Sequence, residues 1–318
     1  MNIVLAQTAG FCFGVSRAVE LVEQTVREGK KAVTLGPIIH NRHVVDRFTQ
    51  MGVRAVERLE EIDDGSAVIV RSHGIARETM QALQDRGLEI IDATCPFVKR
   101  IHQIVAEASA KKRIPILIGT RSHPEVTAIA GWCNDPLIFE TAQELQQWLE
   151  ETSENRHKPV LMVFQTTSTQ QLWESCCNIV KKECTNYEIF DTICGATEKR
   201  QKEAIALSKL CDAMVIVGDA MSSNTKRLAM ICGEYCKQVA LVDNADELDR
   251  MLFSGIQSVG ITAGASTPAW IIKEVNNQMS DEMHVETAAM EESFAEMLEQ
   301  SIKTLNTGEK VTGVITSI

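Results

Sequence analysis

The sequence is poor in aromatic residues, which make up 5% of it, with two tyrosines and four tryptophans among 318 residues. That leaves little for a base-stacking platform of the kind single-stranded nucleic acids require. Positive charge is also in deficit. A net charge of −11 argues against a nucleic-acid surface built from the bulk field. It leaves room for a small anion held by local donors. No stretch of about 18 apolar residues occurs, so no membrane span is expected. The N-terminus lacks a charged leader and cleavage site, and a cytoplasmic location is expected. Neither Gly-x-x-x-x-Gly-Lys nor Gly-x-Gly-x-x-Gly is present, which removes the usual support for ATP or a dinucleotide.

What is present is ordinary globular material, 44% hydrophobic and 24% charged. The length calls for two or three domains. Short apolar runs at 3–6, 32–36, 67–71, 88–92, 115–119, 160–165, 188–191, 213–218, 238–242 and 258–262 read as strands. Helical periodicity fills most of the gaps, for example at 15–28, 78–85, 98–111, 142–151, 169–183, 199–211, 225–236 and 268–279. This alternation implies right-handed crossovers and an α/β protein with several small, mostly parallel sheets.

Ten cysteines in a chain of this class point to free, catalytic or metal-binding thiols rather than disulfides. Cys176, Cys177, Cys211, Cys232 and Cys236 lie on helical segments and read as small core residues. Three others recur in one setting, a strand, a turn and then a helix: Gly10-Phe11-Cys12-Phe13-Gly14, Asp92-Ala93-Thr94-Cys95-Pro96 and Asp191-Thr192-Ile193-Cys194-Gly195. They stand 83 and 99 residues apart, as if three similar units converged on one object. Structural zinc normally shows local cysteine pairs, absent at these junctions, whereas separated thiolates suit an iron–sulfur cluster. With three cysteines in place of four, one iron would keep an open position for Lewis-acid chemistry.

Polar tips follow other strands, where α/β proteins place ligands. His40, His73 and His123 each follow a strand, and fit either a metal or hydrogen bonding to a phosphate. His43, His102, His157 and His284 read as structural. Ser222-Ser223-Asn224 and Ser266-Thr267-Pro268 each open a helix, where capping or anion binding is expected. Glu125, just before a helix, is either a compensator of the helix dipole or a general acid relayed through Thr166 or Thr167.

Taken in order, Gly10 to Val15, His40-Asn41, Ser72-His73-Gly74, Asp92 to Pro96, His123 to Val126, Gln165-Thr166-Thr167, Ile193-Cys194, Ala196-Thr197, Arg200-Gln201, Ser222 to Asn224 and Thr262 to Ser266 resemble the LytB/IspH family over residues 1–280. That family comprises 4-hydroxy-3-methylbut-2-enyl diphosphate reductases, which close the methylerythritol phosphate route to isoprenoids. The resemblance implies three pseudo-symmetric α/β lobes (13–95, 96–192, and 1–12 with 193–283) around a central 4Fe-4S cluster on Cys12, Cys95 and Cys194. The open iron would take the substrate hydroxyl oxygen. His40, His73, His123, Ser222, Ser223, Asn224 and Ser266 would hold the diphosphate. Glu125, with Thr166 or Thr167, would supply protons. A ferredoxin or flavodoxin would deliver two electrons singly, and an allyl species would then be protonated at either of two carbons. The implied oligomeric state is a monomer or weak dimer. Gly195, where an aromatic is often seen, and Asp219-Ala220-Met221 depart from the family pattern, and neither is expected to touch a ligand.

Beyond residue 283 an acidic amphipathic helix is expected at 286–303, then a turn and one strand to Ile318. About 29 residues here resemble the start of the largest small-subunit ribosomal protein, built of S-one type RNA-binding repeats. The expectation is a chain cut inside its next domain. RNA binding is not expected of this piece, though a full-length fusion could bind it. Two other readings compete on the residues alone: an anion-binding protein with a structural metal, and an RNA-associated regulator.

Overall fold

A computed structural model describes residues 1–249, 253 and 255–280, and among them twelve strands and ten α-helices alternate. The strands form three four-stranded sheets, and every strand pairing among them is parallel. The first contains β2 (Ala32–Leu35), β3 (Arg54–Val56), β4 (Ala67–Val70) and β5 (Ile90–Asp92) in the order β3-β2-β4-β5. The second contains β6 (Ile114–Ile118), β7 (Leu137–Phe139), β8 (Val160–Phe164) and β9 (Tyr187–Ile189) in the order β7-β6-β8-β9. The third contains β1 (Asn2–Leu5), β10 (Ala213–Val217), β11 (Gln238–Val242) and β12 (Ser258–Ala263). Its order, β11-β10-β12-β1, matches the other two except that the last edge strand comes from the start of the chain.

The inner strands carry continuous apolar runs because helices cover both faces. In the second sheet Ile116, Ile118, Met162 and Phe164 pack against Leu145 and Leu149 of α6 (Ala142–Glu151) and Cys176 and Cys177 of α7 (Gln170–Glu183). Leu117, Leu161 and Val163 face the other way, onto Ile101 and Val105 of α4 (Pro96–Ala110) and Ile129 of α5 (Pro124–Ala130). Each fully buried Leu or Ile contributes roughly 1.5–3 kcal/mol of transfer free energy. This rigid packing fixes the strand ends that present the polar tips.

All ten expected strands form, with ends shifted by a residue or two. Two more were not foreseen, β3 and β7, and both are three-residue edge strands too short to show a period. The remaining helices are α1 (Phe13–Arg27), α2 (Arg42–Gln50), α3 (Arg77–Asp85), α8 (Gly195–Leu210), α9 (Ser223–Tyr235) and α10 (Ala269–Ser280). Helices α1, α4 and α8 start two to four residues earlier than their periodicity predicts. Their first residues, Phe13, Pro96, Phe97 and Gly195, are exposed, so core-facing apolar spacing does not mark them. Cys211 and Cys236, expected within helices, are instead the C-caps of α8 and α9. Residues 1–278 form one compact unit. The helix and strand expected beyond residue 283, and His284, lie outside the described residues. No helix among the described residues is long and apolar enough to cross a membrane.

Candidate active site

The early helix starts make Cys12, Cys95 and Cys194 the N-caps of α1, α4 and α8. Each also follows the last edge strand of a sheet: β1, β5 and β9 respectively. The three thiols line one cavity. Gly14 borders them so closely that a β-carbon there would come within 2.7 Å of the Cys95 Sγ. The Cys95 thiol is pushed up to about 11, by burial first and also by the Cys12 and Cys194 thiols, against the amides of Phe97 and Val98 that pull it down. Cys194 is likewise raised by burial, against the amides of Ala196 and Thr197. A cationic centre reverses this balance and takes the thiolates directly.

The second and third strands of each sheet supply the opposite wall. His40 follows β2, His123 follows β6, and Ser222, Ser223 and Asn224 follow β10. His73 follows β4, Thr166 and Thr167 follow β8, and Ser266 follows β12. The imidazoles of His40, His73 and His123 cluster, with ring centroids 4.6, 5.4 and 5.5 Å apart. Their ring nitrogens approach closely enough to hold a metal ion as well as an anion. Burial lowers all three. His73 falls well below the usual imidazole range, with His40 and His123 adding to the effect, and His123 falls to about 3. They are neutral hydrogen-bonding groups at physiological pH. His123 Nδ1 accepts from the Glu125 amide at 3.1 Å, which leaves its proton on Nε2.

Several polar atoms here are buried and find no partner among the described residues: His40 Nε2, His73 Nδ1, and both Asn224 side-chain atoms. Leaving such groups unpaired costs on the order of 1–3 kcal/mol each, and a polar ligand removes that cost. Other residues are already engaged. Ser222 Oγ caps α9 by accepting from the Thr225 amide, and Ser266 Oγ donates to the His40 carbonyl at 2.9 Å. Ser223 Oγ lies 3.0 Å from Thr167 Oγ1 and accepts weakly from Gln165 Nε2 at 3.4 Å.

Glu125 lies inside the first turn of α5, not before the helix. It is 2% exposed. Thr166 donates to it twice, from its amide at 2.6 Å and its hydroxyl at 2.7 Å. Burial raises the Glu125 carboxyl, while the two Thr166 hydrogen bonds and the nearby Arg227 charge oppose the rise. A carboxyl so placed keeps its proton to higher pH than an exposed carboxylate does, which suits a general acid.

All thirteen residues singled out from the sequence line this one cavity. The structural histidines do other work: His102 stacks on Trp132 at 5.0 Å, His43 pairs with Asp243, and His157 sits beside Thr185. Two residues carry more than the sequence suggested. The Asp219 carboxylate accepts from the Arg42 amide, and its charge bears on His40 although it does not line the cavity. Arg200 does line the cavity, where sequence reading gave it no role. An arginine in a helix looks solvated until the partners of that helix are known.

The family described as LytB protein matches residues 3–280. A 4-hydroxy-3-methylbut-2-enyl diphosphate reductase from Caldanaerobacter subterraneus subsp. tengcongensis is 40% identical over 279 residues, 86% of this chain and 95% of the relative. A reductase of the same name from Clostridium tetani is 37% identical over 324 residues, 100% of this chain but 48% of that longer protein. The solved structure of an (E)-4-hydroxy-3-methyl-but-2-enyl diphosphate reductase, described as the terminal enzyme of the non-mevalonate pathway, superposes with a TM-score of 0.64 at 37% identity, covering 88% of this chain and 100% of that one. The three thiols at equivalent sheet edges and a match across nearly all of the described residues make this chain a member of the LytB family.

Proposed function

We propose that the chain is an iron–sulfur oxidoreductase that converts 4-hydroxy-3-methylbut-2-enyl diphosphate to isopentenyl and dimethylallyl diphosphates, the last step of the methylerythritol phosphate route. The observation that carries the reading is the joining, in one cavity, of three N-cap thiols, a buried carboxyl and orphaned polar groups. The donor set fits a cluster: three converging soft ligands, backbone amides that favour thiolate, and a glycine where a side chain would strike Cys95. Cys12, Cys95 and Cys194 would hold it as a 4Fe-4S group with one open iron. When bound, it supplies the electrons and a Lewis-acidic position.

The chain's own residues do the rest. His40, His73, His123, Ser222, Ser223, Asn224 and Ser266 bind the diphosphate, the neutral imidazoles and the Asn224 amide donating to its oxygens. Two electrons and two protons balance the reaction, since the hydroxyl leaves as water and a C–H bond forms. Glu125 holds the proton in a water-poor pocket, Thr166 aims the carboxyl, and Thr167 links to Ser223 beside the diphosphate site. The lobes are 13–95, 96–192, and 1–12 with 193–283, a division supported by strand membership in the three sheets. Phe13 and Phe97, exposed beside Cys12 and Cys95, offer a face for a ferredoxin or flavodoxin donor. We take the protein to be cytoplasmic, and a monomer or weak dimer. The segment 284–318 is read as S-one type sequence; a relative about twice as long matches the chain over its full length.

The test is anaerobic purification followed by turnover of the allylic diphosphate with reduced viologen as donor. Brown protein with about four irons per chain and dye oxidation dependent on substrate are expected. Active protein without iron or sulfide, or phosphate binding without redox turnover, overturns the reading.

A further inference from the structure

Arg200 is 3% exposed, and no carboxylate lies within ion-pair distance of it among the described residues. Its guanidinium reaches across to the segment before Cys12. Nε and Nη2 donate to the Thr8 carbonyl at 3.0 and 2.6 Å, and Nη2 donates to the Gly10 carbonyl at 2.7 Å. Gly10 sits at φ 109°, a conformation that turns its carbonyl where few other residues could. One turn further along α8, Glu203 grips the same segment from its amide side, accepting from the Gln7 and Thr8 amides at 2.7 and 2.8 Å. The helix headed by Cys194 therefore clasps the loop that ends in Cys12.

Geometry accounts for part of Arg200 only. Its Nη1 is buried with no partner among the described residues, and the side chain lines the thiol cavity. A buried guanidinium with an unpaired N–H is costly unless an anionic acceptor faces it. The ionisable groups acting on it most strongly are the Cys12 and Cys194 thiols, then Glu203.

We infer that Arg200 is a positioning residue of the reductase site: it fixes the span between Cys12 and Cys194 and sets a positive charge against the bound cluster. The proposal rests on the cluster reading above. Its two functions separate by substitution. Arg200→Lys keeps the charge and loses the fork that holds two carbonyls. Arg200→Met loses both. Glu203→Gln weakens the clasp and leaves the positive charge in place.

The experiment compares reconstituted parent, Arg200→Lys, Arg200→Met and Glu203→Gln by iron and sulfide content, rate of iron loss to a chelator, and one-electron midpoint potential. Iron loss is expected to rise about tenfold in both Arg200 variants, the loss of one charge-assisted hydrogen bond or so, and less in Glu203→Gln. The potential is expected to move in Arg200→Met alone. It should become more negative by about 59 mV, a tenfold change in the reduction equilibrium. Arg200→Lys or Arg200→Met protein that keeps both the parental chelation rate and the parental potential overturns the role of Arg200. If Arg200→Met does not fold, the Arg200→Lys chelation rate decides alone. Parent protein that takes up no cluster overturns the function reading together with this one.

Discussion

The first and third sheets place their strands alike and use the resulting loops for different chemistry. After the second strand the first sheet offers His40 where the third offers Ser222, Ser223 and Asn224, and after the third strand it offers His73 where the other offers Ser266. Only the loop after the edge strand carries the same group in all three sheets, a cysteine at a helix N-cap. The difference shows which demands are symmetric. On the function proposed above, a cluster would need the same ligand from three directions, whereas an elongated anion and its proton donor would need unlike groups on each side. The second sheet is the asymmetric one, contributing His123, Glu125 and Thr166 together.

The sharpest way to break this comparison is to remove one leg. Cys12→Ser, Cys95→Ser and Cys194→Ser are each expected to abolish turnover and to leave iron well below the parental content. A variant with parental iron and activity would mean that the legs are not equivalent. Glu125→Gln comes next. It should cut turnover by about 10²–10⁴-fold while iron content and diphosphate binding stay near the parental level, measured by single-turnover kinetics and calorimetry. An unchanged rate removes the acid role from the second sheet.

The two anion walls can then be weighed against each other. His73→Ala and Asn224→Ala should each weaken diphosphate affinity by about ten- to a hundredfold, the equivalent of one or two hydrogen bonds to a charged ligand. A large loss from one wall alone would make the binding site one-sided. The mildest effect is that of pH on the ligand-free protein. His40, His73, His102 and His123 are lowered by burial, to about 4 for His102 and about 3 for His123. The unfolded chain therefore binds more protons below pH ~6.5, and stability falls as the pH drops from there toward the folded values. Each such histidine costs roughly 1 kcal/mol per pH unit in that window. Glu125, raised by burial, works in the opposite direction, losing stability as the pH rises through its folded value. Urea midpoints at pH 7 and 5 should show the net loss, and a saturating diphosphate should narrow it.

Much of this was legible in the sequence because chemistry sits at predictable strand ends. Cys12, Cys95 and Cys194 repeat one local pattern, and His40, His73 and His123 each follow an apolar run. What stayed hidden is long-range. The β3 strand is too short and too polar to show a period, and Arg42 and Asp219 lie 177 residues apart. The Thr8 and Gly10 carbonyls that engage Arg200 are backbone groups, which carry no side-chain signature. The Ser266 hydroxyl reads as a free donor but is spent on the His40 carbonyl.

The pairing of Asn2–Leu5 with 258–261 sets an order of events during synthesis. The first and second sheets, whose last edge strands precede Cys95 and Cys194, can close while the ribosome is still working. The seat of Cys12 cannot form until β12 has been made, more than 240 residues later. A nascent chain therefore carries two closed sheets and an open third, on which the helix headed by Cys194 also packs. The convergence of Cys12, Cys95 and Cys194 on one cavity is in this way placed after the segment through Ala263 has left the ribosome.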